Sequence, residues 1–342
     1  MDGVSTLRHL KTTVIVTLAT VCGSAHAAVN YWDFNVFSGS TIGSAGQGYG
    51  SQFAGASGAA GDAWFSNMGL RTNASASPSL PMGFYGGGNF VLSGGVHSGG
   101  VVAAGDVLMN NASVVGPVLA GGNLAGAGGS ITGDAILGGT KITGNQLSVS
   151  GSILSNQTIT EPVALGAAAG YFSAFSTAAG ALSPTTSYTN QWGNLVINAS
   201  APGAVVSIAA ADFQSAWGIS VAGPGAVIVN VDGTSLQFAS KTWAYSGGAS
   251  ATSTLLNFAE ANSITMTGSQ TVNMLAPGAD VRFTSGTITG NLVVGSLTGS
   301  GSTAWNGGFD GASFVSVPAP AGASLIAIAG CVVGARRRRP QR

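Results

Sequence analysis

Side chains able to do acid–base, nucleophilic or metal chemistry are few in this sequence. Between residues 28 and 320 there is one histidine, His97, and no cysteine, because Cys22 and Cys331 lie outside that span. A Ser-His-Asp triad would have to use His97, and no G-x-S-x-G elbow accompanies it. Its setting, Gly94-Gly95-Val96-His97-Ser98-Gly99, reads as a surface turn. Zinc lacks His and Cys ligands, and neither G-x-G-x-x-G nor a P-loop occurs among the 55 glycines. Calcium would want about 6–8 oxygens. Asp106 and Asp134 occupy similar corners, but no D-x-D run supports them. Acids at such corners ordinarily cap their own turns, and with the Asn corners they would form a hydrogen-bonded ladder. A calcium-dependent polysaccharide lyase is thus the weakest reading. The expectation is a non-enzyme with no metal site and no cofactor.

Binding chemistry has better candidates. Thr265-x-Thr267 and Thr287-x-Thr289 each place two hydroxyls on one face of a strand. Flat arrays of that kind suit ice or a polysaccharide, although threonine is also an ordinary exposed strand residue. The six tryptophans, Trp32, Trp64, Trp192, Trp217, Trp243 and Trp305, offer faces for sugar rings. Core or end-cap packing is their commoner use.

Elements must hold these residues, and the composition limits which. Charged residues are only 6% of 342, against roughly 25% in an average soluble protein, so helix faces would go unsolvated. Apolar residues still reach 45%, enough to bury a core. The absence of an internal basic stripe excludes a nucleic-acid partner. From 86 to 154 short apolar stretches alternate with corners at Gly88-Asn89, Gly105-Asp106, Gly122-Asn123, Gly133-Asp134 and Gly144-Asn145, spaced 17, 17, 11 and 11 residues apart. Corners of this type between short strands predict stacked β coils with an irregular repeat. One helix is predicted over 161–182, with Pro162 at its start, Leu165, Ala168, Ala169, Phe172, Phe175 and Ala179 on one face, and Gly180 and Pro184 as its stop. Strand patterns resume at 195–197, 204–208, 226–231, 235–238, 263–267, 287–289 and 291–294. No charged or proline-rich linker interrupts the chain, which predicts one domain over 28–311 and a stalk over 312–320.

The two ends read as addresses. Residues 1–27 form a secretory signal: Arg8 and Lys11, an apolar stretch, and a cleavage site at Ala25-His26-Ala27. At the other end Val317, Pro318, Ala319 and Pro320 precede an apolar run over 321–335 and the membrane stop Arg336, Arg337, Arg338 and Arg339. Fifteen helical residues span about 22 Å, short of the roughly 30 Å hydrocarbon core. Between these ends four basic residues face ten acidic ones, a net of −6 hidden by the precursor's formal zero.

The tail resembles the PEP-CTERM sorting signal, with Ala319 where that motif has Glu. The resemblance implies an exosortase-type processing enzyme as partner, passage through the inner membrane, and a transient or permanent membrane anchor in 321–342. The body resembles the choice-of-anchor A family of bacterial surface proteins. The likeness rests on Asp33-Phe34-Asn35-Val36-Phe37, Val118-Leu119-Ala120-Gly121-Gly122-Asn123, Leu255-Leu256-Asn257-Phe258 and Met274-Leu275-Ala276-Pro277-Gly278-Ala279-Asp280. It continues through Ile288-Thr289-Gly290-Asn291, Val293-Val294 and Phe309-Asp310-Gly311. That family implies a mostly β, right-handed β-helix with one packed helix, similar to ice-binding-like folds, and an extracellular adhesive role. The expected function is a non-enzymatic cell-surface or matrix protein that engages extracellular polysaccharide or a neighbouring cell. The alternative is an ice- or glycan-binding module using Thr265, Thr267, Thr287 and Thr289.

Overall fold

In the computed structural model residues 29–73, 76–142, 146–160, 163–312 and 315–316 are described. A three-residue strand followed by a nine-residue strand recurs at a constant 17-residue step. The short strands are Val101–Ala103, Val118–Ala120 and Ala135–Leu137, and the long ones are Phe90–Ser98, Val107–Val115 and Leu124–Thr132. All pair in parallel with their equivalents one coil away. Each long strand bends at its middle, at Gly94–Gly95, Asn111 or Gly128–Gly129, where φ is positive. One turn of chain therefore lays down three sides of a β solenoid. The 11-residue step from Gly122 to Gly133 joins two different corners, and Gly144-Asn145 lies outside the described residues. Gly88, Gly105, Gly122 and Gly139 share one corner, whereas Gly133 belongs to another. The repeat is thus strict from 84 to 140 and irregular elsewhere.

The corner chemistry explains the Gly-Asx pairs. Oδ1 of Asp62, Asn89, Asp106 and Asn123 each accepts the backbone N–H of Asn89, Asp106, Asn123 and Thr140, at 2.6, 2.9, 2.6 and 3.0 Å. The preceding glycine lets coils approach: a Cβ on Gly122 would lie 2.1 Å from Asp106 Oδ1. Asp106 is one rung of this ladder. Asp134 sits at a different corner and takes the N–H of Ser152 at 2.8 Å.

Along the first side the strand order does not follow the chain. From one end it runs Ala204–Ile208, Val227–Val231, Thr254–Asn257, the start of Asn273–Ser285 and the start of Leu292–Gly299. It then jumps to Val36–Ser38 and continues through Ser57–Ala59, Phe84–Gly86 and the 17-residue coils to Ile153–Leu154. The chain therefore starts in the middle of the solenoid, builds to one end, crosses to the other and builds back. At the seam Val36, Phe37 and Ser38 pair with Leu292, Val293 and Val294. Ile42 bridges Leu297 on the second side, and Phe53 pairs with Thr303 on the third.

The crossing is helix α1, Leu165–Gly180. Leu165, Ala168, Phe172, Phe175 and Ala179 are buried as their spacing predicts, and Ser176 joins them. The predicted start at Pro162 lies outside the described residues. Sixteen residues give about 24 Å, enough to cover about five coils at ~4.8 Å each. Phe172 and Phe175 meet the Trp32 ring at 5.1 and 5.3 Å, and burying each contributes about 2–3 kcal/mol. At the helix C-terminus Asn230 Nδ2 donates to the Ala179 carbonyl at 2.9 Å, and Ser176 Oγ donates to Asn257 Oδ1 at 2.6 Å.

A second helix, α2 (Ala210–Ser215), was not expected. It replaces the second-side strand of the end coil, and its Phe213 packs on Phe238 and Phe258 at 5.0 and 5.8 Å. With one apolar anchor in six residues it has too little pattern to be read from sequence.

Candidate functional site

Helix α1 covers part of the first side, packing on Val227–Val231, Thr254–Asn257 and Asn273–Ser285, and the second and third sides offer the longer uncovered faces for a large partner. Inward side chains of the long strands fill the core, for example Phe90, Leu92, Val107, Met109 and Leu124. Alternation then forces their neighbours outward. On the second side Trp64, Val91, Leu108 and Ala125 stand in register on adjacent strands. Ile142 extends the row beside Ala125, its N–H donating to the Leu124 carbonyl at 2.9 Å. Leu108 and Ile142 are 37% and 48% exposed. A parallel row holds Ser66, Ser93, Asn110 and Ala127. The Asx ladder runs along one edge, and a shallow groove of about 240 Å³ lies between it and the apolar row. Four members of that row, 91, 108, 125 and 142, are 17 residues apart. That spacing was the sequence signal for this face, and it was hidden by mixing two corners.

The four threonines do not form one array. Thr265 and Thr267 lie on the second side, on Ser263–Thr267, where Thr265 pairs with Arg282 and Arg282 with Thr298. Thr287 and Thr289 lie on the third side, pairing with Ser302 and Ala304. The structure thus gives two separate hydroxyl pairs on different sheets. Ala25, Ala27, Val317, Pro318, Ala319, Pro320 and Arg336 to Arg339 lie outside the described residues. Among the described residues no helix is long and apolar enough to cross a membrane.

His97 is a correction. It is fully buried, not in a surface turn, because its strand continues through the bend and turns it inward. It sits in the stack Leu70, His97, Val114 and Ile131. Nε2 lies 2.6 Å from the Gly100 carbonyl, and Nδ1 is unpartnered among the described residues. Burial pushes its pKa down to about 4, so it is a neutral core residue at pH 7. Three basic groups are also spent on carbonyls. Arg71 donates to the Leu80 and Pro81 carbonyls, Lys141 to Leu147 and Lys241 to Ala216, at 2.6 to 2.9 Å. Lys241, its pKa lowered to about 8 by burial, lies 4.6 Å from the Phe213 ring centroid. Among the described residues no group of three or more His, Cys, Asp or Glu side chains could hold a metal. The second side offers repeated surface contacts.

Comparison with known proteins follows the same line. A family model described as "Putative Ice-binding-like adhesive domain" matches residues 30–305. Among solved structures, the ice-binding protein of the Antarctic ascomycete Antarctomyces psychrotrophicus is similar at 21% identity and a TM-score of 0.31, over 56% of this chain and 92% of that one. No curated protein matches the sequence.

Proposed function

The chain belongs to the ice-binding-like adhesive domain family, and on that premise we propose that it is a non-enzymatic cell-surface or matrix adhesive whose second side grips a repeating polymer. The observation that carries this is the row Trp64, Val91, Leu108, Ala125 and Ile142, one outward apolar group per coil beside the Asx ladder. Each contact is weak, but rungs at a fixed ~4.8 Å step act together on an extended ligand. Extracellular polysaccharide and the surface of a neighbouring cell are the partners such a row suits.

Sorting belongs to the same proposal. The PEP-CTERM-like tail would be handled by an exosortase-type enzyme and would hold the protein at the surface. Val315, just before the tail, packs in the same cluster as α1, on the side away from the apolar row. A tether leaving there keeps the second and third sides free.

The test is adherence of the protein to matrix polymer and to cells. Leu108→Lys with Ile142→Lys should weaken adherence at least about tenfold without changing the circular dichroism spectrum. Unchanged adherence would overturn the reading. Thr265→Tyr with Thr287→Tyr serves as the comparison. Loss in that variant alone, or loss of ice growth inhibition with it, would transfer the activity to the ice- or glycan-binding alternative that the family's description favours. Mass spectrometry of the C-terminal peptide from fractionated cells checks the tail. A chain ending near Pro320 outside the membrane supports sorting and release, and a chain ending at Arg342 in the membrane rejects release.

A further inference from the structure

Trp192 is 98% exposed. It is the first of two residues joining Tyr188–Gln191 to Asn194–Asn198, with φ of +56° at Trp192 and +83° at Gly193. Both values belong to the mirror-image two-residue turn, whose first position is ordinarily Asn, Asp or Gly. A bulky aromatic residue at positive φ is an outlier, and such strain concentrates at functional positions. Nothing in the turn requires the indole. Gly193 N–H is taken by Asn190 Oδ1 at 2.8 Å, and Trp217 Nε1 bonds the Trp192 backbone carbonyl, which any residue would supply. A smaller residue would make the same turn with less strain.

Trp217 stands beside it, 56% exposed and fixed in place. Its Nε1 donates to the Trp192 carbonyl at 2.8 Å, and its backbone N–H donates to the Gly193 carbonyl at 3.0 Å. Gly193 makes room for it, since a Cβ there would come 2.9 Å from Trp217 Cδ1. One turn therefore presents two indoles, one anchored and one free. The four-stranded sheet behind them, Tyr188–Gln191, Asn194–Asn198, Gly218–Ala222 and Thr242–Ser246, carries no Asp, Glu, Lys, Arg or His. Its ionisable groups are Tyr188 and Tyr245, both with the pKa raised and so neutral at pH 7, and Tyr188 Oη donates to Asp212 Oδ2 beside the sheet. It places exposed Gln191, Thr242 and the Asn194–Ser220 hydrogen-bonded pair next to the turn.

We propose that this turn is a stacking platform for a neutral carbohydrate polymer. Indole faces cover the apolar face of a sugar ring, and neighbouring amides and hydroxyls meet its hydroxyl groups. The lack of charge in the sheet and the net −6 of the mature body disfavour an anionic glycan. The site names a ligand class for the adhesive reading and rests on that reading for its biological use, but its binding is measured separately.

The experiment titrates the protein with glucan, mannan and chitin oligosaccharides while following tryptophan fluorescence. Galacturonate oligomers and phosphatidylcholine vesicles are the other arms. A saturable response to at least one neutral oligosaccharide is expected. Trp192→Asn should weaken it at least about tenfold while raising Tm, because Asn suits the turn. Trp217→Phe should weaken binding and lower Tm through the lost hydrogen bond. No response to any neutral oligosaccharide overturns the proposal. So does a response untouched by Trp192→Asn, or one confined to galacturonate or vesicles. Leu108→Lys with Ile142→Lys separates the two readings: it should weaken adherence to cells at least about tenfold and leave the fluorescence titration intact.

Discussion

His97 shows how one residue type can mislead when its neighbours are glycines. Gly94, Gly95, Gly99 and Gly100 suggested a turn, yet the first pair bends a strand whose second half still alternates in and out. The structure gives the histidine a titration that reports the fold. Its pKa is about 4 when folded and about 6.5 when unfolded. The unfolded chain therefore binds the proton first as pH falls. Stability from the neutral ring is fully present above pH 6.5 and is lost between there and pH 4, by about 3 kcal/mol. His97→Leu should abolish that part of the pH dependence and change stability at pH 7 by less than about 1 kcal/mol, since it trades one hydrogen bond for an unpartnered Nδ1. Urea denaturation of both proteins from pH 7 to pH 4 measures it, and parallel curves would refute the buried neutral assignment. The difference between the curves removes the carboxylates common to both. Single side chains elsewhere were easier to place from sequence. Phe172 and Phe175 announced their burial by helical spacing, whereas Trp192 and Trp217 could not be told from core tryptophans because exposure leaves no local pattern.

Elements were legible in proportion to how strongly their own residues alternate. Ser263–Thr267 alternates polar and apolar residues as Ser, Ile, Thr, Met, Thr, with Ile264 and Met266 buried. Gly218–Ala222 and Thr242–Ser246 were not among the strand patterns, although Ile219 and Val221, and Trp243 and Tyr245, alternate there with small residues; each is a single five-residue strand whose edges are defined by pairing with distant strands. The 17-residue coil was half visible. Asx corners at 89, 106 and 123 gave the step, and the corner at Asp134 broke it only because its different place in the coil has no local mark. A coil that contacts only its neighbours is a removable unit. Deleting 107–123 joins Asp106 to Leu124, keeps every corner in phase and should leave a folded, shorter solenoid with the same spectrum. Deleting the 11 residues 107–117 would place second-side residues on another side and should abolish folding. Circular dichroism and thermal melting of the two deletions distinguish them, and equal damage by both would mean that the coil is not the folding unit.

At the scale of the whole molecule the decisive feature is the seam, and it depends on pairs about 250 positions apart, such as Phe53 with Thr303 and Val36 with Leu292. Two of the motifs that carried the family resemblance, around Asn35 and around Asn291, meet there. Asn35 Nδ2 donates to the Gly290 carbonyl at 2.8 Å and to Ala304 at 3.3 Å, while its Oδ1 accepts from Gly55 N–H and Thr303 Oγ1 at 3.0 and 2.6 Å. Asn291 Nδ2 donates to the Trp32 and Phe34 carbonyls at 2.8 and 2.6 Å. The sequence showed these motifs but not that they touch, because nothing local encodes a jump in strand order. Stability in a solenoid is the sum of coil and interface terms. Weakening one internal interface should therefore uncouple the coils on either side more than it weakens either set. Asn35→Ala takes a partner from three buried groups, the Gly290 carbonyl, Gly55 N–H and Thr303 Oγ1, and should cost about 3 kcal/mol. It should also broaden or split the single unfolding transition, with α1 and the seam strand pairs bridging the two halves without the asparagine. Asn123→Ala, at an exposed corner where water can replace the lost bond to Thr140 N–H, should cost about 1 kcal/mol or less and keep one transition. Differential scanning calorimetry compares them through the ratio of calorimetric to van't Hoff enthalpy. A ratio above one for Asn35→Ala alone identifies the seam as the joint between two cooperative halves. A ratio of one in both variants would mean that α1 and the aromatic cluster at Trp32 already lock the halves together without it.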